Sequence, residues 1–354
     1  MAPLALVLGL CVLAASLAGC GSGARGARGG RRVGQAGRVA AVSAPTHPGA
    51  SSRVAAARHL TRPGAQALVA AESENRLFLV DLRRGRVLRS VPLPAEPEYI
   101  AADRHVVVAV SAAAGAVTLL DRSTLRRLEV ITGFASAHIP AISPSGAYAY
   151  VTDDARGTLT TIRLSDGRVS SRVLVGPGAH HMGISPDGRS LWVALGQAAS
   201  RVVLLDSSDP ARPRVTGAFA PGFLVHAVVF APGGRRVWIS SASGPDLGVF
   251  SAASHRLLFR VPGGAPPQHI AFAGRFAYVT SGYGSTIERV SLATGRVLRR
   301  VASPYGSFEL DAGSGFVATS SLFRGTLSIY GDDLDLERTL RIAPATEDVV
   351  IAPR

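Results

Sequence analysis

The sequence contains no lysine: all 38 of its basic side chains are arginine, set against 24 acids for a formal net charge of +14. Cysteine is almost as scarce. Cys11 and Cys20 are the only two, both near the start, so the remainder of the chain has neither a disulfide framework nor a thiolate metal site. Aromatic residues make up 6% of the chain and no basic stripe is interleaved with rings. That leaves little for base stacking and argues against nucleic acid as a partner. Charged residues stop at 18%, under the roughly 25% of an average soluble domain, while apolar residues reach 47%, which excludes wholesale disorder. Sustained helical periods are missing after residue 66. So are catalytic signatures: there is no G-x-S-x-G, P-loop, H-E-x-x-H or EF-hand spacing, and Gly331-Asp332-Asp333-Leu334-Asp335 reads as a turn.

What is present begins with an address. From Leu4 to Gly19 the chain reads LALVLGLCVLAASLAG, short for a bilayer span of about 20 residues and suited to the apolar core of a signal peptide. It ends in Leu17-Ala18-Gly19-Cys20, which resembles the lipobox of bacterial lipoproteins. The resemblance implies a signal peptide over 1–19, cleavage before Cys20, and lipidation of Cys20 that holds the protein on the extracytoplasmic side of the cell membrane. Residues 20–65 are rich in Arg, Gly and Ala, carry no acid and show no period, as a disordered tether does. Its arginines suit either anionic lipid headgroups or plain solvation. With eight of them in this tether, the rest of the chain keeps only +6 of the +14.

From residue 66 to 354 the sequence repeats itself. HIPAISPSGAYAYVTDDARGTLTTIRLSDGRV begins at His138 and HHMGISPDGRSLWVALGQAASRVVLLDSSDP at His180. Each unit holds four short β-rich runs, the first two joined by Ser-Pro-x-Gly and the last two by a tip such as Asp166-Gly167 or Thr294-Gly295. Aligning the first runs places Glu98, His138, His180, His226, Gln268, Phe308 and Glu347 at one position, 39 to 46 residues apart. Four strands at that spacing make a propeller blade. Ala149-Tyr150-Val151-Thr152, Ala277-Tyr278-Val279-Thr280 and Ser185-Pro186-Asp187-Gly188 resemble the YVTN-type β-propeller repeat family, a resemblance that implies the fold and says little about function. The expected architecture is all-β: a seven-bladed propeller of four-stranded blades. The last run stands alone at the C-terminus and three runs precede the first complete unit, which predicts a composite blade that closes the ring and hides two strand edges. Tyr150, Trp192 and Trp238 share a second-run position and are expected to pack between blades.

Five of the nine histidines fall at the start of first runs. His138, His180 and His226 occupy the aligned position, and the next position adds Tyr99, His181, His269, Glu309 and Asp348. Around one mouth of the channel this predicts a ligand site from Glu98, His138, His180, His226, Gln268 and Glu347. His138, His180 and His226 are its candidate ligands for zinc, copper or another borderline metal. The same histidines also read as inherited repeat residues that hydrogen-bond backbone. Loops between second and third runs, carrying Glu72, Glu74, Asp153, Asp154, Asp246, Tyr283 and Arg324, are expected on the same face as a polar funnel. No catalytic residue is assigned.

Three functions compete. The anchor, the tether and the missing catalytic motifs favour a non-catalytic binding or scaffold module, a monomer that presents its funnel to a protein, peptide or small molecule. The histidines admit a lactonase-like metal-assisted hydrolase or lyase at the channel mouth, by fold-level analogy. The charge admits binding to a polyanion or nucleic acid.

Overall fold

The computed structural model describes residues 65–196, 200–262, 266 and 268–352. The expected signal peptide over 1–19, Cys20 and, apart from Ala65, the tether lie outside the described residues. The described chain forms seven four-stranded antiparallel sheets arranged as the seven blades of a propeller. Six of them run in chain order from inner to outer strand, with inner strands at Pro97–Ala102, Ala137–Ile142, Met182–Ile184, Val225–Phe230, Ile270–Ala273 and Leu310–Gly313. These are blades 1 to 6. Blade 7 is the composite one: Val349–Ile351 pairs antiparallel with Gln66–Ala71, followed outward by Arg76–Asp81 and Arg86–Pro92. Every inner strand touches the inner strands of both neighbours, including blade 7 against blade 1, so the ring is closed.

The burial of each strand follows from its rank in the blade. The second strand of blade 1, Val106–Ser111, reads VVVAVS and is buried throughout, because a strand sandwiched between two blades has no solvent face. Outer strands such as Arg86–Pro92 are largely exposed and carry arginine. The apolar core is correspondingly divided into seven clusters, each straddling one pair of neighbouring blades. Tyr150, Trp192 and Trp238 are buried in three of them, as their repeat position predicts, and Tyr278 fills the same place in a fourth. In the Ser-Pro-x-Gly turns, Gly146 and Gly188 take φ of 69° and 73°, a conformation other residues resist, while the Ser143 hydroxyl accepts the Tyr148 N–H.

A recurring hydroxyl locks blade to blade at the channel mouth. Thr152, Ser240, Thr280 and Ser320, each two residues past the second-strand aromatic position, donate to the carbonyls of His180, Gln268, Phe308 and Glu347 on the next blade, at 2.8, 2.7, 2.5 and 2.5 Å. Thr152, Ser240 and Thr280 also accept N–H groups from their own blades, those of Ile139, Ala227 and His269. The threonine of the repeat motif therefore fixes where the neighbour's mouth residue begins. Blade 3 has Ala194 at this position and lacks the hydroxyl.

Candidate metal centre

Inner strands reach the mouth through irregular backbone. In blades 1, 2 and 4 the register with the second strand slips between Pro97 and Ile100, Ala137 and Pro140, and Val225 and Val228. Such bulges put one extra residue on the inner strand and re-aim side chains. The extra residues carry Glu98-Tyr99, His138 and His226. In blades 3 and 5 the pairs His180-His181 and Gln268-His269 lie just ahead of the strand, held by backbone bonds to Ala194 and Thr280. Gly183 completes the arrangement without a side chain, since a Cβ there would stand 2.5 Å from the Val228 carbonyl oxygen. That close approach brings His181 of blade 3 against His226 of blade 4.

The result is a contiguous set of five imidazoles. His138 and His180 are stacked, with centroids 3.9 Å apart and planes 15° apart. His181 lies 4.5 Å from His180 and 5.4 Å from His138, and 4.4 and 4.7 Å from His226 and His269. Two triads bring one ring nitrogen of each member within 4.8 Å of the others: His138/His180/His181 and His181/His226/His269. His138 Nε2, His181 Nε2 and His226 Nδ1 are buried without a hydrogen-bond partner. Carboxylates back the outer pair, with His180 Nδ1 donating to Asp154 Oδ2 at 3.2 Å and His138 Nδ1 lying 3.7 Å from Glu98 Oε2. Carboxylates of this kind orient metal-ligating imidazoles.

The opposite arc of the ring is acidic, with Glu309 from blade 6, Glu347 and Asp348 from blade 7 and Glu98 from blade 1. Burial pushes Glu309, Glu347 and Asp348 well above the ordinary carboxylate range and lifts Glu98 to about 7. It acts oppositely on the bases, holding His138, His181 and His226 well below the ordinary histidine range and His269 at about 4. These imidazoles are neutral at pH 7. His269 Nε2 approaches Glu309 Oε1 to 2.6 Å, off the alignment of a hydrogen bond. Beneath the rings Tyr99, His181, His269, Glu309 and Asp348 help line an axial cavity of about 140 Å³.

Residues 101–213, less than half of the chain, match the family model described as the cytochrome D1 heme domain. No curated protein matches the sequence. Among solved structures, a functionally unknown protein from Desulfotomaculum acetoxidans aligns with TM-score 0.72 at 15% identity, over 81% of this chain and 98% of that one. Apo AztD from Citrobacter koseri aligns with TM-score 0.65 at 10% identity, over 81% and 98%. The dihydro-heme d1 dehydrogenase NirN, solved in complex with DHE, aligns with TM-score 0.59 at 15% identity, over 83% and 76%. At these identities the likeness is one of fold. A haem does not fit the axis of this chain: pockets for organic ligands run to roughly 300–1,000 Å³, and the axial cavity offers about 140 Å³. Imidazoles packed 3.9 to 5.4 Å apart between His138 and His269 leave no slot for a macrocycle.

The structure puts each residue of the expected ligand site near the mouth, in different company. His138 and His180 pair with each other, whereas His226 stands 6.3 Å from His180 and joins His181 and His269. Gln268 is buried with Oε1 unpartnered, and Glu347 belongs to the acidic arc. Phe308 lies in an aromatic cluster with Tyr283 and Phe323. Of the expected funnel, Asp154 reaches His180, but Asp153 is buried and accepts the N–H groups of Ala135, Ser136 and Arg156, a loop-shaping role. The signal for His181 and His269 was the second residue of each aligned pair.

Proposed function

We propose that the protein is a non-catalytic, metal-binding propeller whose inner triad, His181, His226 and His269, takes a borderline transition-metal ion of the zinc or copper class. The observation that carries this reading is the pair of buried, unpartnered nitrogens, His181 Nε2 and His226 Nδ1, in a triad drawn within 4.8 Å. A buried polar atom without a partner costs about 1–3 kcal/mol, and a metal ion satisfies several at once. Neutral imidazoles bind without first losing a proton. The cavity size also favours an ion over a lactone or ester. The lipobox-like Leu17-Ala18-Gly19-Cys20 supports display of this propeller on the extracytoplasmic face of the membrane through lipidated Cys20.

Metal analysis of untagged protein tests the reading. Zinc or copper is expected to bind stoichiometrically, and at about a hundredfold excess over Kd to raise the melting temperature by roughly 5 °C. No bound metal and no thermal shift with either ion would overturn it. For the anchor, intact mass of membrane-extracted protein is expected to show loss of residues 1–19 and a diacylglyceryl increment, and a chain retaining those residues would refute lipidation.

A further inference from the structure

The five histidines do not make one equivalent set. His181, His226 and His269 stand nearly perpendicular to one another, with interplanar angles of 72°, 85° and 89°. The planes of perpendicular rings intersect, so in-plane lone pairs can converge on one point, as tetrahedral coordination requires. His138 and His180 lie almost parallel, 15° apart. Nearly parallel rings keep their lone pairs in two stacked planes that do not meet at one point between them, so both grip one ion only after a ring turns. His180 is joined to solvent more than His138 or His269, its side chain 20% exposed against 12% and 14%. It bonds to Asp154, which keeps 37%, whereas His181 is 3% exposed.

From this we infer that His138 and His180 form an outer relay station for the ion held by the inner triad, with His181 common to both, so that the chain holds one ion at a time. The inference rests on the metal-binding reading above. A neutral imidazole has one lone pair, its other nitrogen carrying a proton, so His181 serves one station at once. An ion passing inward exchanges His138 and His180 for His226 and His269 while His181 stays bound. Asp154, accepting from His180 Nδ1, leaves His180 Nε2 as the donor that meets the arriving ion. Asp154 is thus a positioning residue.

The test uses the full-length untagged protein in detergent, with Zn²⁺ for stoichiometry and Co²⁺, whose visible absorption reports ligation, for stopped-flow association. Wild type is expected to bind one equivalent of Zn²⁺, and His181→Asn none. The double variant His138→Ala/His180→Ala is expected to keep one equivalent with affinity within about threefold, yet to associate with Co²⁺ at least about tenfold more slowly. Asp154→Asn, which leaves every ring in place, is expected to slow association with unchanged stoichiometry and so stands in if the double variant does not fold. Two equivalents in wild type would overturn the inference. So would undiminished association rates in the double variant or in Asp154→Asn, or loss of all binding from a folded double variant. Wild type binding no ion at all would instead remove the metal-binding reading itself.

Discussion

Ser240 serves two partners: its buried hydroxyl accepts the Ala227 N–H at 2.9 Å and donates to the Gln268 carbonyl at 2.7 Å, tying blade 4 to itself and to blade 5. Replacing it with alanine strands a buried donor and a buried acceptor together. Ser240→Ala is therefore expected to cost about 1–3 kcal/mol, measured by denaturant titration, and a loss under about 0.5 kcal/mol would show that water takes over both bonds. The same scale sets what could be read of the site. An aligned column of residues exposes His138, His180 and His226, because repetition preserves position. It does not say which imidazole faces which. His181 is held against blade 4 partly by a glycine two residues on, which lets the Val228 carbonyl in at 2.5 Å from where a Cβ would be.

Among elements, the short closing strand has the largest consequence. Val349–Ile351 pairs with Ala67, Leu68 and Val69, with Val349 and Ile351 buried. Asp348 extends the closure by accepting the Ile100 N–H of blade 1 at 2.8 Å. Removing residues 345–354 deletes the buried Val349 and Ile351 and bares the apolar side chains they cover, about 4–6 kcal/mol, and uncovers a strand edge. The truncated protein is expected to melt roughly 10 °C lower and to associate on heating. An unchanged melting temperature by calorimetry would refute closure by this strand. The composite blade was legible from the repeat phase alone, one run at the end and three at the beginning. The bulges were not, since a slip between Ala137 and Pro140 depends on how the second strand bonds, and no residue type marks it.

Over the whole molecule, the ring mouth divides into a histidine arc on blades 2 to 5 and an acidic arc on blades 6, 7 and 1, and burial holds members of both neutral. Asp311, near the acidic arc, shows the effect on stability. It accepts the Ile351 N–H at 2.8 Å across the ring closure, and burial raises its pKa to about 6 from an ordinary 3.8. A carboxyl whose folded pKa is raised binds its proton more tightly in the native state, so its contribution is full below about pH 4 and is lost as pH rises through 6. Wild-type stability minus that of Asp311→Asn is expected to fall by roughly 2 kcal/mol between pH 4 and 7, less than the full shift because the side chain keeps some solvent access. The remaining ionisable groups are common to both proteins, so their contributions cancel in the difference. A difference constant with pH would show that Asp311 is not desolvated. The sequence alone determined the blades, their number and the composite closure, because strand alternation, turn residues and a fixed repeat length are local properties that each unit satisfies by itself. Tertiary structure alone decided which two histidines stack, which three stand at right angles and which one is shared. Those relations are set by bulges, inter-blade hydroxyl bonds and the close approach at Gly183, contacts between residues about 27 to 45 positions apart that no local pattern encodes.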